Sequence, residues 1–348
     1  MRDKLKILDC RPDEIQKIIT DLKEPSFRGK QLCGWLFEKA VTDPDLMMNI
    51  PKKLRVLFKE KFDLSLPELV EKRVSKDKSV KFLFSLGEGG GVESVLIKAG
   101  GKNTLCLSTQ AGCRFGCAFC ASSKAGFDRN LSTGEIISQV IYGLREVLPE
   151  KLNNIVYMGI GEPFDNFENT INSIEIITSE EAFRIGQRKI TVSTCGVVPG
   201  ILKFAGLNKQ YELSISLHCA NNIKRNKIMP VINKRYPLNK LMEACKYFFD
   251  KTRRYITFEY IVMKGFNDGI KDIKDLINLL KDFSCKINLI PFNPAVETAF
   301  EVPEREKVLE VEKQLKNAGM NVTVRWSKGA DVDAACGQLR YLRGKEKN

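Results

Sequence analysis

The stretch CRFGCAFC (residues 113–120) places three cysteines within eight residues, shortly after a strand-like apolar run. Three thiolates at this spacing can bind one inorganic centre, yet tetrahedral zinc and iron–sulfur clusters usually take four protein ligands. One coordination position is therefore left for another ligand. His218, the only histidine of the chain, is a candidate fourth ligand, and with it the three cysteines would form a zinc site.

Composition limits the class of protein. The 348 residues, of which 43% are hydrophobic, suffice for one large α/β domain and a small accessory domain. No apolar run approaches the ~18 residues that span a bilayer, and the amino terminus lacks the apolar core of a signal peptide. The odd number of cysteines, eleven, argues against a disulfide framework. We expect a cytoplasmic protein without membrane contact.

The chain is strongly basic. Its 56 Lys and Arg residues against 43 Asp and Glu residues give a net charge of +13, which suits a partner rich in phosphates. A basic enzyme indifferent to RNA would carry the same charge. Solvated helix faces explain the cations of the amino-terminal region equally well; these are Arg28, Lys30, Lys52, Lys53 and Arg55.

Hydrophobic periodicity divides the chain into four parts. Residues 1–75 show helical spacing and predict a small accessory domain that binds RNA, and residues 76–100 alternate around a glycine-rich turn, as in a β-hairpin. Residues 101–300 alternate strand and helix patterns, and residues 301–348 predict a helix, a strand and a loop with a cysteine. About six βα units predict an α/β fold, a partial (β/α)6 TIM-like barrel. The predicted strands are Leu105–Ser108, Ile155–Met158, Ile190–Ser193, Leu213–Leu217, Tyr255–Val262 and Ile287–Ile290.

Polar motifs follow most of these strands. The segments MGIGEP, VSTCG, SISLHC and LIPFNP each come at or just after a strand end, where a barrel of this kind places its active site. Taken singly they are weak, because a tight turn explains Gly161 and Glu162, and a lone histidine such as His218 is often structural. Together with the cysteine loop they indicate one cavity for a polar cofactor.

Six segments carry a closer resemblance. LCLSTQAGCRFGCAFCA, MGIGEP, TVSTCGVVPG, SISLHCANN, INLIPFNP and DVDAACGQLR resemble the RlmN family of radical S-adenosylmethionine (SAM) RNA methyltransferases, and less closely its sister family Cfr. FRGKQLCGWLF and NIPKKLR resemble the family's amino-terminal region, so the resemblance covers nearly the whole chain. CASSKAG departs from the family pattern, as do Cys195 and Cys219, which we interpret as packing residues.

The resemblance implies residue roles and cofactors. Cys113, Cys117 and Cys120 would bind a [4Fe-4S] cluster whose fourth iron is chelated by SAM, and two SAM molecules would be used per turnover. Cys336 would carry the methyl group and Cys106 would be the second catalytic cysteine. The remaining implied residues are Glu93 as proton acceptor and Gly161, Glu162, Ser193, Ser216, Leu217, His218 and Asn293 as SAM contacts.

The implied reaction is a methylation at carbon 2 of adenine, an atom that is not nucleophilic and therefore requires a radical route. Cys336 would be methylated first, and its carbon would then join the base in a transient RNA adduct that Cys106 resolves through a disulfide. The implied partners are 23S ribosomal RNA, tRNA in many members, and an electron donor such as flavodoxin or ferredoxin, with the enzyme a monomer. The alternatives are a Cfr-type methylation at carbon 8, with antibiotic resistance, and a non-catalytic iron–sulfur RNA-binding protein.

Overall fold

The computed structural model describes residues 4–87, 90–294 and 298–341. The helices are α1 (Pro12–Asp21), α2 (Phe27–Cys33), α3 (Lys52–Lys61), α4 (Ala121–Lys124), α5 (Thr133–Val147), α6 (Phe167–Thr178), α7 (Val198–Gly206), α8 (Asn222–Ile228), α9 (Pro230–Arg235), α10 (Leu238–Thr252), α11 (Ile270–Leu280) and α12 (Arg305–Asn317). The strands are β1 (Leu5–Lys6), β2 (Phe62–Asp63), β3 (Leu69–Val74), β4 (Val80–Ser85), β5 (Gly91–Ala99), β6 (Lys102–Cys106), β7 (Gln110–Gly112), β8 (Phe127–Asn130), β9 (Asn154–Tyr157), β10 (Ile190–Thr194), β11 (Glu212–Ser216), β12 (Ile256–Val262), β13 (Cys285–Pro291) and β14 (Val322–Val324). None of the described helices is long and apolar enough to cross a membrane.

One ten-stranded sheet organises the molecule. Its order is β14-β13-β12-β11-β10-β9-β6-β5-β4-β3, and the pairs from β6 to β14 are parallel. This parallel part is the predicted partial barrel, with β14 as a short seventh strand. The predicted fold class is thus confirmed.

The predicted hairpin is present as β4 and β5, which pair antiparallel and continue the barrel sheet beyond β6. The sheet also contains β3, which pairs antiparallel with β4 although it lies within the 1–75 segment that we predicted to be helical. Its sequence, LVEKRV, is mostly exposed and charged, and it lies at the edge of the sheet. Charged side chains are typical of edge strands, and they weaken the alternation by which a strand is recognised.

The two faces of the parallel strands differ in polarity. Residues that point outward toward the helices are apolar and fully buried, as at Leu105, Ile155 and Val192. The alternate residues point into the barrel lumen and are largely polar; they include Thr104, Asn154, Thr191, Ser193, Ser216, Thr257, Glu259 and Asn288. A closed TIM barrel fills this space with bulky branched side chains. Here the lumen is left open for ligands.

Helix α5 begins as its sequence predicts. Ser132 Oγ accepts a hydrogen bond from Glu135 N at 3.2 Å, and Glu135 Oε2 accepts one from Ser132 N at 2.9 Å. This capping box satisfies two backbone donors at the start of the helix. The helix follows the cysteine loop, so its fixed start also fixes the end of that loop.

Candidate functional site

The cysteine loop is closed by a small antiparallel ladder. Strands β7 and β8 bracket it, and Cys113 N donates a hydrogen bond to Gly126 O at 2.9 Å. Gly112 has φ +74°, and a Cβ atom there would lie only 1.8 Å from Gly126 O. Glycine is therefore required at this crossing, because any side chain would force the loop open.

The three cysteines face a cavity of about 150 Å³ at the carboxyl ends of the parallel strands, which we call the rim cavity. Its wall includes Cys113, Cys117, Cys120, Gly161, Glu162, Ser193, Ser216, His218, Glu259, Arg325 and Cys336. Most of the residues singled out from the sequence are thus brought together. Burial raises the pKa of the Cys113 thiol to about 12, so a cationic centre is needed to favour its thiolate.

The turn at Gly161 and Glu162 is held against neighbouring segments. Gly161 has φ +100°, and a Cβ atom there would lie 2.5 Å from Gln110 Cβ. The Glu162 carboxylate is buried, and it accepts hydrogen bonds from Phe164 N at 3.1 Å and Cys195 N at 2.8 Å. Burial raises the pKa of this carboxyl group. Glu162 therefore ties the end of β9 to the end of β10, and Cys195 forms part of the rim-cavity wall rather than of the outer core.

His218 lies on the cavity wall in a fixed, neutral form. Its Nδ1 accepts a hydrogen bond from Ile261 N at 3.2 Å, and its ring packs edge-on against Phe119 at 5.0 Å. Burial lowers its pKa to about 3. Within residues 4–87, 90–294 and 298–341, no three His, Cys, Asp or Glu side chains converge so that they could hold a single metal ion, which argues against a zinc site made of the three cysteines and His218. A [4Fe-4S] cluster does not require that convergence, because each cysteine binds a different iron.

Two of the predicted SAM contacts stand apart from the cavity wall. The Leu217 side chain is fully buried in the core, and Leu217 N donates to Glu259 O at 3.1 Å. Asn293 Oδ1 accepts from Ser327 Oγ at 2.7 Å, and Asn293 Nδ2 has no hydrogen-bond partner among the described residues. A buried donor without a partner suits a polar ligand, because leaving it unpaired is costly.

Cys106 and Cys336, which lie outside the cysteine loop, belong to different parts of the chain. Cys106 ends β6 and is buried, whereas Cys336 belongs to the carboxyl-terminal segment and is accessible from the rim cavity. Burial raises the pKa of Cys106 to about 12, and a charge on Cys336 raises it further. The Arg325 guanidinium opposes the rise at both thiols. The two cysteines are therefore within electrostatic range of one another and of one cation.

Glu93 lies outside the rim-cavity wall. Its Oε1 is 2.9 Å from Lys81 Nζ, in an ion pair that is buried on both sides. Its Oε2 accepts a hydrogen bond from Arg340 N at 2.8 Å. The carboxylate thus holds the carboxyl-terminal segment to β4 and β5, and a role in proton transfer stays a prediction.

Arg225 is a positioning residue that we did not identify from the sequence. The side chain is fully buried, and it donates hydrogen bonds to Cys195 O at 2.7 Å, Leu217 O at 3.2 Å and Ser216 O at 3.4 Å. It thereby joins the ends of β10 and β11. The segment NIKRNKI has the composition of a basic helix exposed to solvent, so its sequence does not indicate that Arg225 is buried. The one available signal was its position shortly after the strand end SISLHC.

Comparisons with known proteins agree with this site. Residues 107–280 match the radical SAM superfamily, and residues 5–64 match the ribosomal RNA large subunit methyltransferase N-terminal domain. A probable dual-specificity RNA methyltransferase RlmN from Clostridium botulinum is 44% identical over 335 residues, covering 96% of this chain and 97% of its own length. Its counterpart from Staphylococcus haemolyticus is 42% identical, with 97% and 93% covered. A radical SAM methyltransferase structure from Sphaerobacter thermophilus superposes with a TM-score of 0.93 at 36% identity, covering 96% of this chain and 99% of that one.

Proposed function

Since the chain belongs to the RlmN family of radical SAM RNA methyltransferases, we propose that it methylates carbon 2 of an adenosine in 23S ribosomal RNA and of an adenosine in tRNA. The position of Cys336 carries the proposal. This residue shares the rim cavity with the three cysteines of the loop, where a methyl-carrying thiol must lie. Two findings support these substrates. The relatives are named dual-specificity RNA methyltransferases, and residues 5–64 match a domain of ribosomal RNA methyltransferases.

The donor set fits the cofactors of the superfamily. Cys113, Cys117 and Cys120 would hold a [4Fe-4S] cluster, and Glu162, Ser193, Ser216 and His218 on the same cavity wall offer polar groups to SAM. Bound together, the cluster and SAM supply the reductive chemistry that opens an unreactive C–H bond. A flavodoxin or ferredoxin would deliver the electron.

Cys336 accepts the first methyl group as a thiolate. Arg325 favours that thiolate, because its positive charge opposes the effect of burial. The radical chemistry that the bound cofactors would supply removes one hydrogen atom from the S-methyl group, and the remaining carbon joins carbon 2 of the base, so that RNA and protein are linked through sulfur. The surplus electron would return to the cluster as carbon 2 loses its proton. Removal of the carbon 2 proton requires a base, and for Glu93 to serve it must exchange its present partners Lys81 and Arg340 N.

Cys106 releases the product. As a thiolate it attacks the sulfur of Cys336, so that a disulfide forms while the carbon–sulfur bond to the base breaks. The electron pair of that bond stays on the carbon, which takes up a proton and becomes the methyl group of the product. An external thiol or dithiol must reduce this disulfide before the next turnover. Burial raises the pKa of Cys106 to about 12, so the thiol must give up its proton to a base before it attacks.

A gel comparison of two variants tests this proposal. Reconstituted Cys106→Ala should accumulate a protein–RNA adduct that survives denaturant, whereas Cys336→Ala should give none and should remain unmethylated. The Cys113→Ala, Cys117→Ala, Cys120→Ala triple variant is the control that lacks cluster chemistry. An adduct from Cys336→Ala would overturn the assigned roles, and 8-methyladenosine in digests of RNA from the wild-type reaction would move the reaction to carbon 8.

A further inference from the structure

The barrel lumen continues below the rim cavity to the opposite, amino-terminal mouth. A second cavity of about 240 Å³ lies there, which we call the lower cavity; Thr104, Asn154, Thr191, Thr257 and Asn288 form part of its wall. Met158, Glu259 and Arg325 line both cavities, so the two are in contact through these three side chains. A ligand in the lower cavity would therefore reach toward Cys336 from below.

One carboxylate oxygen of Glu259 is unsatisfied at this junction. The residue is only 4% exposed, and its Oε1 accepts hydrogen bonds from Ser214 Oγ at 2.7 Å and Asn288 Nδ2 at 3.0 Å and lies 3.9 Å from Arg325 Nη1. Its Oε2 has no hydrogen-bond partner among the described residues. A buried carboxylate oxygen without a partner is costly, and its missing donor is usually a water, an ion or a ligand.

The mouth of the lower cavity is basic. Arg188 and Lys189 precede β10, both are exposed, and both line this cavity. Cations at an entrance suit the phosphates on either side of an extruded nucleotide, while the polar groups inside suit its base. The charge and the polarity of the lumen thus match one flipped nucleotide of an RNA strand.

We infer that the lower cavity holds the flipped target base, with Glu259 Oε2 accepting a hydrogen bond from the exocyclic amine of adenine. This inference rests on the proposed function, and it adds the residue that selects the base. Adenine carries a donor at position 6, whereas guanine and hypoxanthine carry an acceptor there, which a carboxylate oxygen would repel. Arg188 and Lys189 hold the flanking phosphates.

The substitution Glu259→Gln gives a sharp test, because Asn288 Nδ2 can only donate. The amide oxygen of Gln must therefore face Asn288 and Ser214, and its NH2 group takes the place of Oε2. A donor would then meet the amino group of adenine. RNA hairpins copied from the methylated site, carrying either adenosine or purine riboside at the target position, differ only in this amino group and both retain hydrogen at carbon 2.

The wild type should bind and methylate the adenosine hairpin about 10- to 100-fold better than the purine riboside hairpin, the range of one hydrogen bond to a charged group. In Glu259→Gln this preference should vanish or reverse. Glu212→Gln is the matched control, since Glu212 lies on the neighbouring strand, pairs with Arg254 and is outside both cavity walls. It should keep the wild-type preference.

Each outcome decides one point. The same preference in the wild type and Glu259→Gln, or no preference in the wild type, would remove Glu259 from base recognition. Weaker SAM binding by Glu259→Gln with unchanged base preference would reassign it to the cofactor and overturn the inference. If the cluster-loaded wild type methylates no RNA, the proposed function falls, and the inference falls with it.

Discussion

The cysteine loop and the carboxyl-terminal segment 329–341 both bring thiols to the rim cavity, but they are held in different ways. The loop is closed by a backbone ladder between β7 and β8. The segment lacks strands, and it is held by hydrogen bonds such as those that Ser75 Oγ donates to the Asp331 carboxylate and that Arg340 N donates to the Glu93 carboxylate. A cluster needs ligands fixed in place, whereas a methyl carrier must reach first a cofactor and then a base. The anchoring matches these different tasks.

Disrupting the contact between Gly112 and Gly126, which closes the cysteine loop, should have the largest effect. Gly112→Ala places a Cβ atom on Gly126 O, and the positive φ alone costs an L side chain about 1 to 2 kcal/mol. We expect loss of cluster assembly, measured as iron content and visible absorbance after anaerobic reconstitution. Gly126→Ala is the control, because Gly126 has the same φ of +74° but open space at its Cβ position. Equal cluster loading of both variants would contradict the role of this crossing.

The carrier thiol should respond strongly to pH. Cys336 is exposed to the rim cavity rather than to bulk water, and desolvation by the surrounding protein raises its pKa above the usual value, so the thiolate is the minor form at neutral pH. Its fraction grows about tenfold for each pH unit below the pKa. The initial rate of Cys336 methylation without RNA should therefore rise with pH, and Arg325→Gln should lower it at every pH below the pKa. A flat profile in a quench-flow mass measurement would show that another step limits the rate.

Weakening one anchor of the carboxyl-terminal segment 329–341 should have the smallest effect. Asp331→Ala removes the acceptor of Ser75 Oγ and of Lys76 N, at a cost of about 1 kcal/mol in the stability of that contact. Hydrogen exchange of the segment 329–341 should quicken several-fold, while the cysteine loop stays protected. Uniformly faster exchange in both regions would instead indicate global destabilisation and remove the distinction between them.

Sequence patterns predicted the parts of the fold that depend on apolar burial. The outward faces of the strands, with residues such as Ile155 and Val192, alternate clearly because helices cover them. The edge strand β3 was not predicted, because its exposed and charged side chains do not alternate with apolar ones in this way. Local rules therefore located the barrel but not the full width of its sheet.

The candidate site was predicted unevenly for a related reason. Motifs at strand ends led to the rim cavity, since the carboxyl ends of parallel strands share one edge. Arg225 and Glu259 belong to no motif at a strand end. In the sequence each resembles an ordinary surface charge, and only the structure shows that both are buried. Family resemblance supplied Cys106, Cys336 and Glu93. From their sequence surroundings alone, the two cysteines would be taken for buried packing residues.

The buried guanidinium of Arg225 also constrains how the chain acquires its shape. Its three carbonyl partners, on Cys195, Ser216 and Leu217, lie up to 30 positions earlier in the sequence, so they are in place only when β10 and β11 are already paired. Until then the cation remains hydrated, because burying it without acceptors is prohibitive. Helix α8 can therefore complete its packing only with or after the pairing of β10 and β11, which links the order of the rim-cavity end of the barrel to the burial of one side chain.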